Sequence, residues 1–288
     1  MAGMLILLVL VAGLAVLLAM VFLRRRGDFL EVDGLRLHYR EEGGGEAVVL
    51  LHGFAVHGDL NWRRTGILRR LRRRYRVVVP DLRGHGLSDK PHDEAAYGLE
   101  LVHDLRRLLD HLGLARVHLV GYSLGGFIAL KAAELLEERL LSVTLLGAGW
   151  ADPADLPLFR YLDRCGRQLA AGHAIPPPGP PQARPGRLYT WLTRLFTAWL
   201  VDQRALGALV RSLHALTLSE PALRGLKPPV CAIIGDRDYL LSMAERLVGR
   251  VPRLEFHRVR GAGHLGLALR GEMHRLLVSF LRRWNAQA

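Results

Sequence analysis

Runs of largely apolar residues recur along this chain with amphipathic stretches between them, and that rhythm limits the fold more than any other feature. "AVVLL" (47–51), "RVVVP" (76–80), "RVHLV" (116–120) and "LSVTLLG" (141–147) alternate with helical patterns near 60–74, 97–112 and 124–138. After an interruption the pattern resumes with "PVCAIIG" (229–235), a helix near 241–250, "LEFHRV" (254–259) and a last helix near 268–284. A strand that is apolar on both faces must be covered on both faces, so strands of this kind separated by helices predict a parallel sheet with helices on either side. At the start, "FLEVDGLRLHYREEG" reads as two short strands joined at Asp33-Gly34. That dipeptide suits a tight hairpin because both residues tolerate positive φ.

With 288 residues, half of them hydrophobic, the chain can bury one substantial α/β core with an inserted lobe. The interruption supplies the lobe. Residues 150–227 contain the Pro/Gly-rich "IPPPGPPQARPG" (175–186) and then a stretch rich in leucine and aromatics that includes Trp191, Phe196 and Trp199. Those aromatics suit helix-face packing, and an apolar lobe beside a sheet is also where a lipophilic substrate could lie. The expected organisation is a core of 28–149 and 228–288 with a cap or lid at 150–227.

Forty Lys and Arg against 27 Asp and Glu give a net charge of +13, with arginine densest in "WRRTGILRRLRRRYR" (62–76). A run of charge usually marks a solvated face. If it binds a partner, the partner is a polyanion such as nucleic acid or an anionic lipid surface. No recognition helix, zinc spacing or RNA-binding aromatic motif accompanies it, which argues against nucleic acid. Of the two cysteines, Cys231 sits inside an apolar run, so no disulfide framework is implied. Without CxxC or HExxH spacing, no metal site is expected.

Residues 4–23, "MLILLVLVAGLAVLLAMVFL", are apolar throughout and end at Arg24-Arg25-Arg26. About 20 helical residues span a bilayer core. The charges follow the apolar run rather than precede it, which disfavours a cleaved signal peptide. The expectation is a single-pass N-terminal transmembrane anchor, with the globular domain on the cytoplasmic side by the positive-inside rule and a membrane lipid surface as its neighbour.

Chemistry points to "GYSLGG" (121–126), which follows an apolar strand and precedes a helix. A serine hydroxyl is a weak nucleophile unless a base takes its proton, so Ser123 calls for a histidine and for a group to orient it. The G-x-S-x-G pattern between strand and helix fits a nucleophile elbow, in which triad partners follow in the order acid, then histidine. "GDRDYLL" (235–241) offers Asp236 and Asp238 after one late strand, and "RGAGHLG" (260–266) places His264 after the next.

On these residues the chain resembles the α/β-hydrolase superfamily over nearly all of 29–284, in its serine hydrolase branch. The resemblance implies an α/β fold of mostly parallel sheet with helices on both faces, and no cofactor. "LLHGF" (50–54) is similar to the family's oxyanion loop, which implies that the backbone N–H groups of Phe54 and Leu124 stabilise a tetrahedral intermediate. The family's G-x-x-D spacing from Gly235 lands on Asp238, leaving Asp236 as a turn residue and Asp152 as a less favoured substitute. "PDLRGHGLSD" (80–89) matches a stretch that shapes the site floor, with Asp81, Arg83 and His85 structural; His52 is expected to brace its loop. Serine at 123 argues against the branches with an aspartate nucleophile, the haloalkane dehalogenases and epoxide hydrolases.

The implied activity is cleavage of carboxylic esters through an acyl-enzyme at Ser123, with His264 as base and then acid and Asp238 orienting it. An apolar lobe and an anchor favour lipophilic acyl esters, in the manner of membrane-anchored monoacylglycerol lipases. The same triad also serves thioester hydrolysis, C–C bond hydrolysis and cofactor-free haloperoxidase chemistry. A non-catalytic binding protein that kept the fold is the contrasting class, and the full set of catalytic residue types speaks against it.

Overall fold

The computed structural model describes residues 27–173 and 201–285. An eight-stranded sheet forms the centre, in the order β1-β2-β4-β3-β5-β6-β7-β8. The strands are β1 (Asp28–Val32), β2 (Leu35–Glu42), β3 (Glu46–Leu51), β4 (Tyr75–Pro80), β5 (Val117–Tyr122), β6 (Leu140–Leu146), β7 (Val230–Gly235) and β8 (Leu254–Val259). Only β1 and β2 pair antiparallel with their neighbours; from β4 to β8 the sheet is parallel. The hairpin turns at Asp33 (φ 48°) and Gly34 (φ 79°), both left-handed as the dipeptide predicts.

The apolar runs have two faces to cover, and two cores cover them. Val49 and Leu51 pack on the face lined by α2 (Glu100–His111) and α3 (Leu124–Leu135). Val48 and Leu50 pack on the other, against α1 (Ile67–Leu71) and the C-terminal helix (Gly271–Arg283). Alternation within each strand thus divides its side chains between the cores. The helix expected near 60–74 is broken: a π-helical turn at Asp59–Arg63 and then α1 are separated at Gly66, whose φ of 83° no right-handed helix accommodates.

Beyond β6, α4 (Leu156–Ala170) and α5 (Gln203–Ser212) cross where Gly166 meets Gly207, close enough that a Cβ on either would strike the other's carbonyl oxygen. Their contact, Cys165 and Leu169 with Leu206 and Val210, forms a satellite core that also touches Phe54. Pairs of Arg211 with Glu94 and His92 with Asp202, and a 2.9 Å bond from Gly98 N to Ser212 Oγ, tie α5 to the segment before α2. Trp191, Phe196 and Trp199 lie outside the described residues. Two short helices, α6 (Glu220–Arg224) and α7 (Leu241–Glu245), flank β7, and Gly271–Arg283 is α8.

The placement at a membrane by a single-pass anchor is corrected. Among the described residues no helix is long and apolar enough to cross a membrane. The longest, α4, has 15 residues and alternates buried with exposed positions, short of the roughly 20 apolar residues a span needs. The stretch 4–23, on which the expectation rested, lies outside the described residues.

Candidate active site

In the sheet β3 lies between β4 and β5, so the segments leaving β3 and β5 depart to opposite faces: toward α1 after β3, and into α3 after β5. Neighbouring strands whose connections part in this way leave a crevice at their carboxyl ends, where α/β sheets bind ligands. Ser123 stands there, between the last residue of β5 and the first of α3, with φ 51° and ψ −115°. For a residue with a β-carbon this conformation costs about 1–3 kcal/mol. Surrounding bonds hold it: Ser123 N donates to Leu146 O at 2.9 Å, and its carbonyl accepts from Gly126 N at 2.8 Å.

The flanking glycines are steric requirements. A Cβ at Gly121 would lie 2.1 Å from Gly125 O, and one at Gly125 would lie 2.2 Å from Leu51 O. Gly125 N also donates to His52 O at 3.1 Å, which stitches the elbow to the loop after β3.

Histidine and acid arrive on the loops after β8 and β7. His264 Nε2 is 2.9 Å from Ser123 Oγ, and its Nδ1 is 2.9 and 3.0 Å from the two oxygens of Asp238. With Nδ1–H donating to the carboxylate, Nε2 is left as an acceptor for the serine proton. The Asp238 side chain is fully buried, and Leu240 N donates to its Oδ1 at 2.9 Å. Asp236 instead accepts from Gly261 N at 2.8 Å, joining the loop after β7 to the loop after β8, and Asp152 accepts from Ala154 N in a local turn; the carboxylate bonded to His264 is that of Asp238.

The loop after β3 carries Phe54. Among the described residues neither Phe54 N–H nor Leu124 N–H has a protein hydrogen-bond partner, and both residues line the cleft at Ser123. Gly53 N donates to Asn61 Oδ1 at 2.9 Å, and Ala55 N, at a left-handed φ of 57°, donates to His85 Nε2 at 3.2 Å. Below them His52 donates from Nδ1 to Gly53 O and accepts from Leu82 N at 3.0 Å. Burial lowers His52 to about 4, against a smaller upward pull from Asp81, and burial with the neighbouring His52 takes His85 to about 3. Both rings are therefore neutral braces at ordinary pH. Burial pushes the Asp81 carboxyl up, but bonds from His38, Leu87 N and Gly58 N outweigh it and hold it well below the usual carboxylate range. Arg83 is buried on Asp104, which it meets with two nitrogens, and donates to Ala96 O at 2.7 Å.

Three contributors had no signal that sequence reasoning used. Tyr122 donates through its hydroxyl to His264 O and so ties the histidine loop to the elbow. Gly147, at φ 57°, leaves room for the acid: a Cβ there would lie 3.3 Å from Asp238 Oδ2. Asn61 comes from a π-helical turn that the arginine-rich pattern concealed. A cleft of about 310 Å³ opens over Ser123, lined largely by Phe54, Phe127, Leu162, Leu169, Val210 and Leu213. Among the described residues Cys231, Glu255 and His257 also approach one another on β7 and β8, but Glu255 already pairs with Arg283 there.

Residues 46–176 match the model of the alpha/beta hydrolase fold family. Among curated proteins the chain is 38% identical over 125 residues to a Mycobacterium tuberculosis protein, Rv2715, covering 42% of this chain and 35% of that one. It is 37% identical over 125 residues to the 2-hydroxy-6-oxo-2,4-heptadienoate hydrolase of Pseudomonas putida, covering 42% and 44%. The chain thus spans less than half the length of the curated relatives it matches. Among solved structures a membrane phospholipase A, described as a bacterial virulence factor, aligns at 27% identity with a TM-score of 0.67 over 99% of this chain and 98% of that one. The family match and the structural neighbours support the α/β-hydrolase superfamily.

Proposed function

We propose that this protein, with the fold and family match of the α/β hydrolases, is a serine hydrolase that cleaves carboxylic esters of lipophilic acyl groups, such as monoacylglycerols. The observation that carries the reading is the hydrogen-bonded chain Ser123–His264–Asp238, set on a strained elbow at the floor of an apolar cleft. Its relatives indicate hydrolase activity, and the likeness to a membrane phospholipase A supports an acyl ester.

In this reading Ser123 Oγ attacks the ester carbonyl while His264 Nε2 takes its proton, and Asp238 stabilises the imidazolium. The carbonyl oxygen, now negative, accepts from Phe54 and Leu124 N–H; a donor of this kind contributes about 100- to 1000-fold in rate. His264 returns the proton to the departing alcohol, leaving an acyl-serine. Water then repeats the sequence, releasing the acid and restoring Ser123. Residues 150–227 serve as a cap, with α4, α5 and α6 among its described parts.

The relationship to a heptadienoate hydrolase favours C–C bond cleavage as a second reading. A dienoate carries a carboxylate, and no cationic side chain lines the cleft among the described residues, which favours the ester.

Labelling by a fluorophosphonate probe and hydrolysis of p-nitrophenyl esters test the proposal. Both are expected in the wild type and lost in Ser123→Ala; turnover that survives the substitution refutes Ser123 as nucleophile.

A further inference from the structure

Beside the cleft at Ser123 lies a second chamber of about 120 Å³, bounded by α3, α4, the turn after α5, and α7. Phe127, Leu162, Leu213 and Leu240 line both spaces and form the partition between them. Leu158 and Phe159 of α4 and Met243 of α7 close the far side. Thr217 carries the chamber's one hydroxyl among the described residues, and it donates to His214 O at 2.8 Å. An incoming group therefore meets mainly methyl, methylene, thioether and aromatic surface.

These walls are not packed as the sheet core is. Phe127, Leu158, Phe159, Leu162 and Leu240 are all half-buried, whereas Leu119 and Leu145 of the strands are completely covered. Apolar surface left uncovered forgoes about 25 cal/mol per Å². An apolar ligand that covers these walls takes their surface out of water and gains on that scale.

We infer that this chamber receives the distal end of the substrate's acyl chain and makes the enzyme selective for medium-chain acyl esters. The inference rests on the serine hydrolase reading above, and it assigns the chamber to one arm of the ester. A departing alcohol takes its proton from His264 and so occupies that ring's side of the cleft, beside the exposed Tyr239 and Leu265. The chamber lies past Phe127, on the helix that follows Ser123, and is left to the arm that stays bonded to the serine. Leu158, Phe159 and Met243 set where a chain must stop.

Two measurements on the full chain test this. The first is kcat/KM for p-nitrophenyl acetate, octanoate and palmitate in the wild type, Leu158→Trp and Phe159→Ala. Filling the chamber with Leu158→Trp is expected to lower the octanoate-to-acetate ratio about tenfold or more, the scale of discrimination in an apolar pocket. Enlarging it with Phe159→Ala is expected to move the preference toward palmitate. The second is displacement of an apolar naphthyl dye by the neutral ester methyl decanoate in Ser123→Ala, with and without Leu158→Trp, which reads the chamber without any turnover. Methyl decanoate binding weakened about tenfold by Leu158→Trp supports the assignment even if no ester is hydrolysed, an outcome that would sink the hydrolase reading alone. An unchanged octanoate-to-acetate ratio in an active, fluorophosphonate-labelled Leu158→Trp overturns the chamber and leaves the hydrolase standing. Methyl decanoate binding that is absent or indifferent to Leu158→Trp overturns it as well.

Discussion

Acid should unfold this protein through two histidines that never act on substrate. His52 is completely buried, with both ring nitrogens bonded to backbone, and burial takes it from an ordinary 6.5 down to about 4. His85 goes from 6.5 to about 3 for the same reason. A group whose pKa is depressed by folding contributes stability that is present above its unfolded value and lost as pH falls toward its folded value. At about pH 5 the unfolded chain has protonated both residues and the folded protein has protonated neither. The difference in proton binding removes about 2 kcal/mol per histidine between about pH 7.5 and about pH 5, or about 4 kcal/mol together. That is a large part of the roughly 5–15 kcal/mol by which domains are stable. Urea unfolding at the two pH values measures it. In His52→Gln, which cannot take up the proton, the drop should shrink by about 2 kcal/mol whatever the variant's stability at neutral pH. A wild type equally stable at both pH values, or a drop of the same size in His52→Gln, refutes the reasoning.

Two further outcomes follow from the site. Asp238→Asn is expected to lower kcat about 10⁴-fold by favouring the wrong imidazole tautomer, whereas Asp236→Asn, whose Oδ1 accepts from Gly261 N and which makes no bond to His264, should lower it far less; ester hydrolysis by the two variants decides the acid. Gly125→Ala would set a Cβ 2.2 Å from Leu51 O, a backbone atom that cannot swing aside, and should destabilise by about 3 kcal/mol or more while displacing the elbow from its loop; thermal unfolding together with probe labelling checks both effects.

The parallel sheet was legible because burial on two faces leaves a mark on composition: Val48, Val49, Leu50 and Leu51 are apolar in succession, and the structure sends them alternately to two cores. The approach of Ser123, Asp238 and His264 was legible for a related reason. Each follows a strand end, and the carboxyl ends of parallel strands share one edge of the sheet. The break at Gly66 was less visible, because the arginine-rich stretch around it keeps helical spacing and only the left-handed φ of the glycine interrupts it. The chemistry of residues 4–23 suggested a membrane span, and no helix among the described residues has the length or apolarity to cross one.

Sequence by itself determined the residue types that can do chemistry and the strands that bear them, since these depend on short-range pattern; the preference for Asp238 over Asp236 came from the resemblance to a family's spacing. Tertiary structure alone decided that Asn61 and His85 hold the loop of Phe54, that Tyr122 reaches the carbonyl of His264, and that a partition of Phe127, Leu162, Leu213 and Leu240 divides the apolar space. Those contacts join residues 8 apart (Gly53 and Asn61), 30 apart (Ala55 and His85) and 142 apart (Tyr122 and His264). No local pattern encodes them, because each depends on how the whole sheet brings its loops to one edge.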